Sequence, residues 1–238
     1  MVTALTLSYE AEGMTMMGHF AAPDGEGTFP AVLVAHGAPG LDSYCRTRPE
    51  ALAECGFAAL AIDYHGNGRV LTDPDELSAR LEVLSAEPTH LRNLASAGLD
   101  ALLARDEVDP DRVGALGYCF GSAVVMELAR TGADLKAVVG MHPGLWSPRP
   151  QESRRVTGWV LMCIGADDPL VTVQDRTAFE DEMRAAGVDW QINLYGGAKH
   201  RFTDPNAADA NNPALEYNPR AAERSWESML GVFNETIR

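Results

Sequence analysis

The sequence predicts an α/β protein built on one mostly parallel sheet with helices on both faces. Three observations carry that reading. Runs such as Ala31-Val32-Leu33-Val34-Ala35 and Ala58-Ala59-Leu60-Ala61-Ile62 are apolar throughout, as strands buried on both faces are. Stretches with helical punctuation alternate with them along the chain. Several of the runs also end in loops that carry His, Asp or Gly, and a parallel sheet collects its functional groups at the carboxyl ends of its strands.

In chain order, residues 3–9 and 14–21 alternate loosely around Glu10-Ala11-Glu12-Gly13 and predict an antiparallel hairpin at a sheet edge. A buried strand over 31–35 ends in His36-Gly37-Ala38-Pro39-Gly40. A helix over about 43–54 is closed by Gly56, and a second buried strand follows over 58–63. Residues 64–74 read as loop and 73–85 as a helix with acidic residues in its first turn. Together, 64–88 form a small cap-like insertion. A helix over 89–105 precedes Asp109-Pro110-Asp111 and a strand from Val113. Further strands are expected over 137–141, 159–164 and 190–195, with a helix over 177–186 stopped by Gly187. A long Asn/Ala/Pro-rich loop over 204–219, of a length that tends to be functional or mobile, leads to a closing helix over 220–233. This makes about eight strands. With 238 residues and no repeat or linker, the expectation is a single domain, 1–238.

The strand from Val113 runs into a helix through Gly117-Tyr118-Cys119-Phe120-Gly121-Ser122. A residue with glycine two positions away on each side, between strand and helix, is a nucleophile elbow, here with Cys in place of the more usual Ser. The glycines are needed because side chains there would collide with the neighbouring strand or helix. The turn exposes the sulfur and leaves the Phe120 amide at a helix N-terminus, free to hold an oxyanion. An isolated Cys is more often a small core residue, which is the reading for Cys55 and Cys163.

Composition narrows the partners. A net charge of −15, from 19 basic and 34 acidic residues, disfavours nucleic acid and anionic membrane and repels anionic substrates at long range. There is no apolar run of eighteen residues and no basic-then-apolar start, so no membrane partner and a cytoplasmic location are expected. Four cysteines (Cys45, Cys55, Cys119, Cys163) without CxxC spacing fit reduced thiols. No histidine has metal-ligand spacing, so neither metal nor cofactor is expected. The expected partner is a small-molecule substrate, and the protein itself a monomer or homodimer.

Asp168 and His200 each follow a predicted strand, so Cys119, Asp168 and His200 occur in the nucleophile, acid, base order of α/β-hydrolases. Asp167 is the alternative acid. His36 reads as structural, holding its loop, and His142 as a pocket-lining candidate. Gly117–Ser122, Gly165-Ala166-Asp167-Asp168-Pro169-Leu170-Val171 and Gly196-Gly197-Ala198-Lys199-His200-Arg201-Phe202 together resemble the elbow, acid loop and base loop of the dienelactone hydrolase family, in an order that spans roughly residues 30–235. The resemblance implies an α/β-hydrolase fold and a Cys-His-Asp triad, with the oxyanion held by the amides of Phe120 and Ala38. It also implies two departures. Gly37 stands where members commonly carry a Glu that takes the thiol proton, and Asp204 stands where enzymes acting on dienelactone carry a carboxylate-binding Arg.

The function expected is hydrolysis of neutral, activated esters or lactones through a covalent Cys119 intermediate. Phosphotriester hydrolysis by the same nucleophile is the alternative, since some members similar to this sequence hydrolyse aryl esters and phosphotriesters. A thiol-based redox switch or small-ligand binding protein is the alternative of another class. Candidate substrate-binding residues are Gly37, His36, Tyr64, Trp146 and Phe202, with Leu71 and Leu215 as further apolar candidates and Arg69, Arg80 and Arg201 as possible positive charges.

Overall fold

The computed structural model describes the backbone of residues 1–238 and every side chain except those of Asp209 and Ala210, which lie in the loop expected over 204–219. Eight strands form one sheet: β1 (Val2–Ala11), β2 (Met14–Pro23), β3 (Phe29–Ala35), β4 (Ala58–Ile62), β5 (Val108–Tyr118), β6 (Ala137–Met141), β7 (Trp159–Gly165) and β8 (Trp190–Tyr195). Their order is β1-β2-β4-β3-β5-β6-β7-β8. The pairs β1–β2 and β2–β4 are antiparallel and all the others parallel. This is the α/β-hydrolase fold the sequence predicts.

The hairpin turns through Glu12 (φ 51°) and Gly13 (φ 73°), the two left-handed residues that a two-residue hairpin loop requires. β3 and β4 are apolar on both faces because each faces a separate core. Leu33 and Leu60 belong to one core, while Val32, Val34, Ala59 and Ala61 belong to the other. Helices α1 (Ser43–Glu54) and α6 (Pro219–Thr236) cover the second core. The first lies under α2 (Pro74–Ala86), α3 (Pro88–Leu103), α4 (Phe120–Arg130) and α5 (Val173–Ala186).

Two boundaries differ most from expectation. β5 starts at Val108, before the Asp109-Pro110-Asp111 turn signal, because Phe29 pairs with Val108 and a register shift between Phe29 and Ala31 absorbs the irregular stretch. α5 starts at Val173, four residues earlier than expected, because Thr172 and Asp175 form a reciprocal capping box around its first turn.

Every residue of α4 is buried, its charged ones included. Arg92 of α3 donates to Glu127 Oε2 from Nε (2.9 Å) and Nη2 (2.6 Å). Arg130 donates to Glu127 Oε1 (2.9 Å) and, through its other Nη, to Glu182 of α5 (2.6 Å). Ser147 donates to Glu127 Oε1 as well (2.9 Å). A helix buried on all sides can hold charge only where each charge is paired and hydrogen-bonded, and this network meets that condition. It also ties α3 and α5 to the helix that begins at the elbow.

Candidate active site

The turn after β5 is strained at one residue. Cys119 has φ 52° and ψ −117°, an unusual conformation for a residue with a side chain. Its amide donates to Met141 O (3.0 Å) and its carbonyl accepts from the amides of Ser122 (3.1 Å) and Gly144 (3.0 Å), so the strained residue is held from both β6 and α4. A Cβ on Gly117 would run into the Gly121 carbonyl, and one on Gly121 into the carbonyls of Ala35 and His36. Both glycines are therefore there for close backbone approach, the reason the sequence pattern suggests.

His200 and Asp168, at the ends of β8 and β7, are brought together. His200 Nδ1 is 2.7 Å from Asp168 Oδ2, and both side chains are buried. Asp168 Oδ1 accepts from the Leu170 amide (2.8 Å), which fixes the carboxylate. Asp167, the alternative acid, is exposed. With Nδ1 committed to Asp168, the free ring atom of His200 is Nε2, which is buried and has no hydrogen-bond partner among the described residues.

The sulfur of Cys119 and this imidazole set each other's charge. Burial by itself pushes the thiol up; the neighbouring His200 and the amides of Phe120 and Ala38 outweigh that and hold it below its ordinary value. Burial likewise pulls His200 down, but the Cys119 sulfur and the Asp168 carboxylate raise it to about 10. Both shifts favour the form with the charge separated, thiolate beside imidazolium. Burial pushes Cys45 and Cys163 up, and Cys55 is raised too. Alkylation by iodoacetamide, followed site by site by peptide mass spectrometry, is therefore expected to modify Cys119 first. Its half-maximal rate should lie below the ordinary thiol range near pH 8.5. Because the folded-state value is depressed, reactivity is present above that lowered pKa and lost as pH falls through it. In His200→Ala the inflection should move up past the ordinary value, and an unmoved inflection would exclude the ion pair.

The loop that carries Ala38 is held from behind. Asp63, at the end of β4, accepts from the amides of Met17, His65, Gly66 and Gly68 and so winds the turn that carries Tyr64 and His65. Tyr64 Oη donates to His36 O (2.6 Å) and Gly37 O (3.1 Å), His65 Nε2 to Ala38 O (2.8 Å), and His36 Nδ1 to Gly37 O (2.6 Å). The His36 and Tyr64 rings stack at 3.7 Å. With three successive carbonyls pinned, the Ala38 amide is left turned to the sulfur.

Cys119 and His200 open into a cavity of about 320 Å³, lined also by Gly37, Ala38, Tyr44, Cys45, Leu77 and Tyr118. His142, Leu170, Asn212 and Leu215 complete much of its wall, so both the 64–88 insertion, through Leu77, and the 204–219 loop contribute to it. The substrate-binding expectations need correction here. Gly37 and Leu215 line the cavity, but Tyr64, His36 and Phe202 are fully buried and do not. Phe202 packs in the core against Tyr195 and His142, and Tyr64 and His36 support the loop. Trp146 packs against Phe120 at a tilt of 40°, outside the cavity wall, and Leu71 is core. Of the arginines, Arg69 pairs with Glu76, Arg80 donates to Tyr64 O (2.7 Å), and Arg201 alone lines the cavity. Tyr44, Cys45 and Leu77 lie within helical segments, where no local signal marks the residue that meets the cavity. A larger groove of about 730 Å³, between β8 and α6, holds none of the predicted site residues. Among the described residues no cluster of three His, Cys, Asp or Glu could hold a metal ion. No described helix is long and apolar enough to cross a membrane.

A sheet of this order, with a strained, glycine-flanked cysteine after β5 and an acid–histidine pair after β7 and β8, defines a protein of the α/β-hydrolase fold. The chain belongs to the dienelactone hydrolase family, a family of hydrolases that it matches over residues 16–237. It is 41% identical to a dienelactone hydrolase-like promiscuous phosphotriesterase from metagenomic libraries, with a TM-score of 0.96 over 100% of this chain and 99% of that one. A Bradyrhizobium protein described as "Probable 2-oxo-3-(5-oxofuran-2-ylidene)propanoate lactonase" is 27% identical over 230 residues, 92% of this chain and 88% of its own. A dienelactone hydrolase from Anabaena variabilis, 22% identical with a TM-score of 0.67 over 100% and 99% of the two chains, shares the fold.

Proposed function

We propose that this protein hydrolyses neutral, activated esters or lactones with enol or aryl leaving groups, through a thioester on Cys119. The observation that carries this reading is the sulfur's position: it sits at the N-terminus of α4, with the amides of Phe120 and Ala38 directed at it and the His200–Asp168 pair beside it. In this reading the Cys119 thiolate attacks the acyl carbon. The carbonyl oxygen becomes an oxyanion held by the two amides, each such donor being worth about 3 kcal/mol. The carbon–oxygen bond to the leaving group breaks, and the His200 imidazolium protonates that group. Neutral His200 then takes a proton from water, the hydroxide attacks the thioester, and the acid leaves as the thiolate is regained.

Sulfur limits the substrate. A thiolate leaves a tetrahedral intermediate more readily than an alkoxide does, so esters of simple alcohols revert to starting material while aryl and enol esters go forward.

Phosphotriester hydrolysis by the same nucleophile is the second reading. The 41% identical relative bears that activity in its name. Gly37 adds to it, because a side chain there would start 3.7 Å from Cys119 Cβ, and its absence leaves room beside the sulfur for the extra substituent of a tetrahedral phosphorus.

Intact-mass trapping with 4-nitrophenyl butyrate and, in parallel, paraoxon tests both readings. An acyl or phosphoryl adduct is expected in the wild type and not in Cys119→Ala, its decay separating turnover from inhibition. Ethyl butyrate should be turned over at less than a hundredth of the aryl rate. Absence of both adduct and rate would overturn the hydrolase reading in favour of a thiol switch.

A further inference from the structure

Arg201 is the only arginine or lysine among the described residues lining the cavity, and its guanidinium is already engaged. Its Nε donates to Asp204 Oδ2 (2.7 Å), and its Nη2 reaches both Asp204 Oδ2 (2.6 Å) and Asp42 Oδ2 (2.9 Å). Both carboxylates are fixed from their other side. Asp42 Oδ1 caps α1 by accepting from the Cys45 amide (2.9 Å), and Asp204, fully buried, accepts from the Asn206 amide through Oδ1 (2.8 Å). Neither carboxylate can swing away when a substrate arrives without giving up a backbone hydrogen bond. Two carboxylates against one guanidinium give the cluster a formal charge of −1. Asp42 itself lines the cavity. A cation at the mouth of a pocket would ordinarily attract an anionic substrate, but here Nε and Nη2 are held by carboxylates and the local field has the opposite sign.

We propose that the Asp42–Arg201–Asp204 cluster is a charge filter: it withholds Arg201 from the substrate and excludes acyl groups that carry a carboxylate. The cavity is thereby matched to neutral or cationic substrates. Asp42 and Asp204 are specificity-determining residues in this account, and neither takes part in the bond changes. The inference rests on the functional reading above.

The test compares 4-nitrophenyl 4-methylbenzoate with mono-4-nitrophenyl terephthalate, two aryl esters of similar shape whose remote substituent is a methyl group in one and a carboxylate in the other. Wild type should prefer the neutral ester. Asp42→Asn keeps an N-cap acceptor for α1 while removing one charge, and should raise the anionic-to-neutral ratio of kcat/KM about tenfold, as expected for one charge a few ångströms away in a partly screened site. In the double variant Asp42→Asn with Arg201→Gln the gain should vanish, because the guanidinium, then balanced by Asp204 alone, is what receives the carboxylate. An unchanged ratio in Asp42→Asn, with the neutral ester still hydrolysed through Cys119, overturns the filter alone. A gain that persists without Arg201 overturns the withholding of that residue. No Cys119-dependent hydrolysis of the neutral ester by wild type overturns the functional reading and the filter with it.

Discussion

Replacing Asp168 by Asn is expected to lower kcat on 4-nitrophenyl butyrate roughly 10³- to 10⁴-fold with little change in KM, the scale seen when a triad histidine is held in the wrong tautomer. The argument follows from the two partners of the carboxylate. Oδ1 accepts from the Leu170 amide and Oδ2 from His200 Nδ1. An asparagine has one oxygen. If it stays on Leu170, the amide nitrogen faces Nδ1, and the ring must carry its proton on Nε2, the atom needed to take a proton from the thiol and later from water. If it turns to His200, two N–H groups meet at Leu170 in a buried place, which is costly. In either case the imidazolium loses the carboxylate that helps raise His200. Thiol alkylation at neutral pH should slow in the same variant. A kcat within tenfold of wild type would show that Asp168 does not set the tautomer.

Glu127→Ala is expected to destabilise the fold by about 3–5 kcal/mol, the usual cost of leaving buried charge without its partner. Its side chain is inaccessible to solvent, as is nearly all of Arg130, while Arg92 is only slightly exposed. Removing it strips Arg92 of two hydrogen bonds, Arg130 of one and Ser147 of one. Neither arginine can shed its proton, so each stays charged with one carboxylate fewer. For a chain of this size the loss corresponds to a melting temperature lower by roughly 6–20 °C. Glu180→Ala serves as the comparison, since its pair with Arg184 on the same layer of helices is exposed and 3.8 Å long; there the change should stay within about 0.5 kcal/mol. Equal shifts in the two variants would mean that the buried network contributes no more than a surface pair. The network also borders the elbow, so activity in Glu127→Ala should be read on the folded fraction.

The amino-acid sequence alone determined the sheet, the elbow and the order Cys119, Asp168, His200. Each of these is encoded locally. A strand buried on both faces must be apolar throughout, as β3 and β4 are. A turn that brings two backbones into contact must have glycine at both approaches, as at Gly117 and Gly121. A parallel sheet then delivers the ends of β5, β7 and β8 to one edge whatever the chain does between them, so residues far apart in sequence could be grouped without seeing the fold.

The cavity wall was decided elsewhere. Tyr44, Leu77 and Asn212 reach it from a helix, an insertion and a loop whose approach depends on how those segments pack, and nothing in their immediate neighbours encodes that. Tyr64 and Phe202 are candidate substrate contacts in sequence because aromatic residues in loops near a catalytic edge can either face a ligand or turn inward. Here burial of their rings and, for Tyr64, two carbonyl acceptors turned them inward. In sequence Arg201 is one of three possible positive charges, and its neutralising partners are Asp204, three residues on, and Asp42, at the start of a helix 159 residues away. Charge at a site is a sum over space. Only the tertiary structure, by placing Asp42 and Asp204 on the same guanidinium, decided its sign.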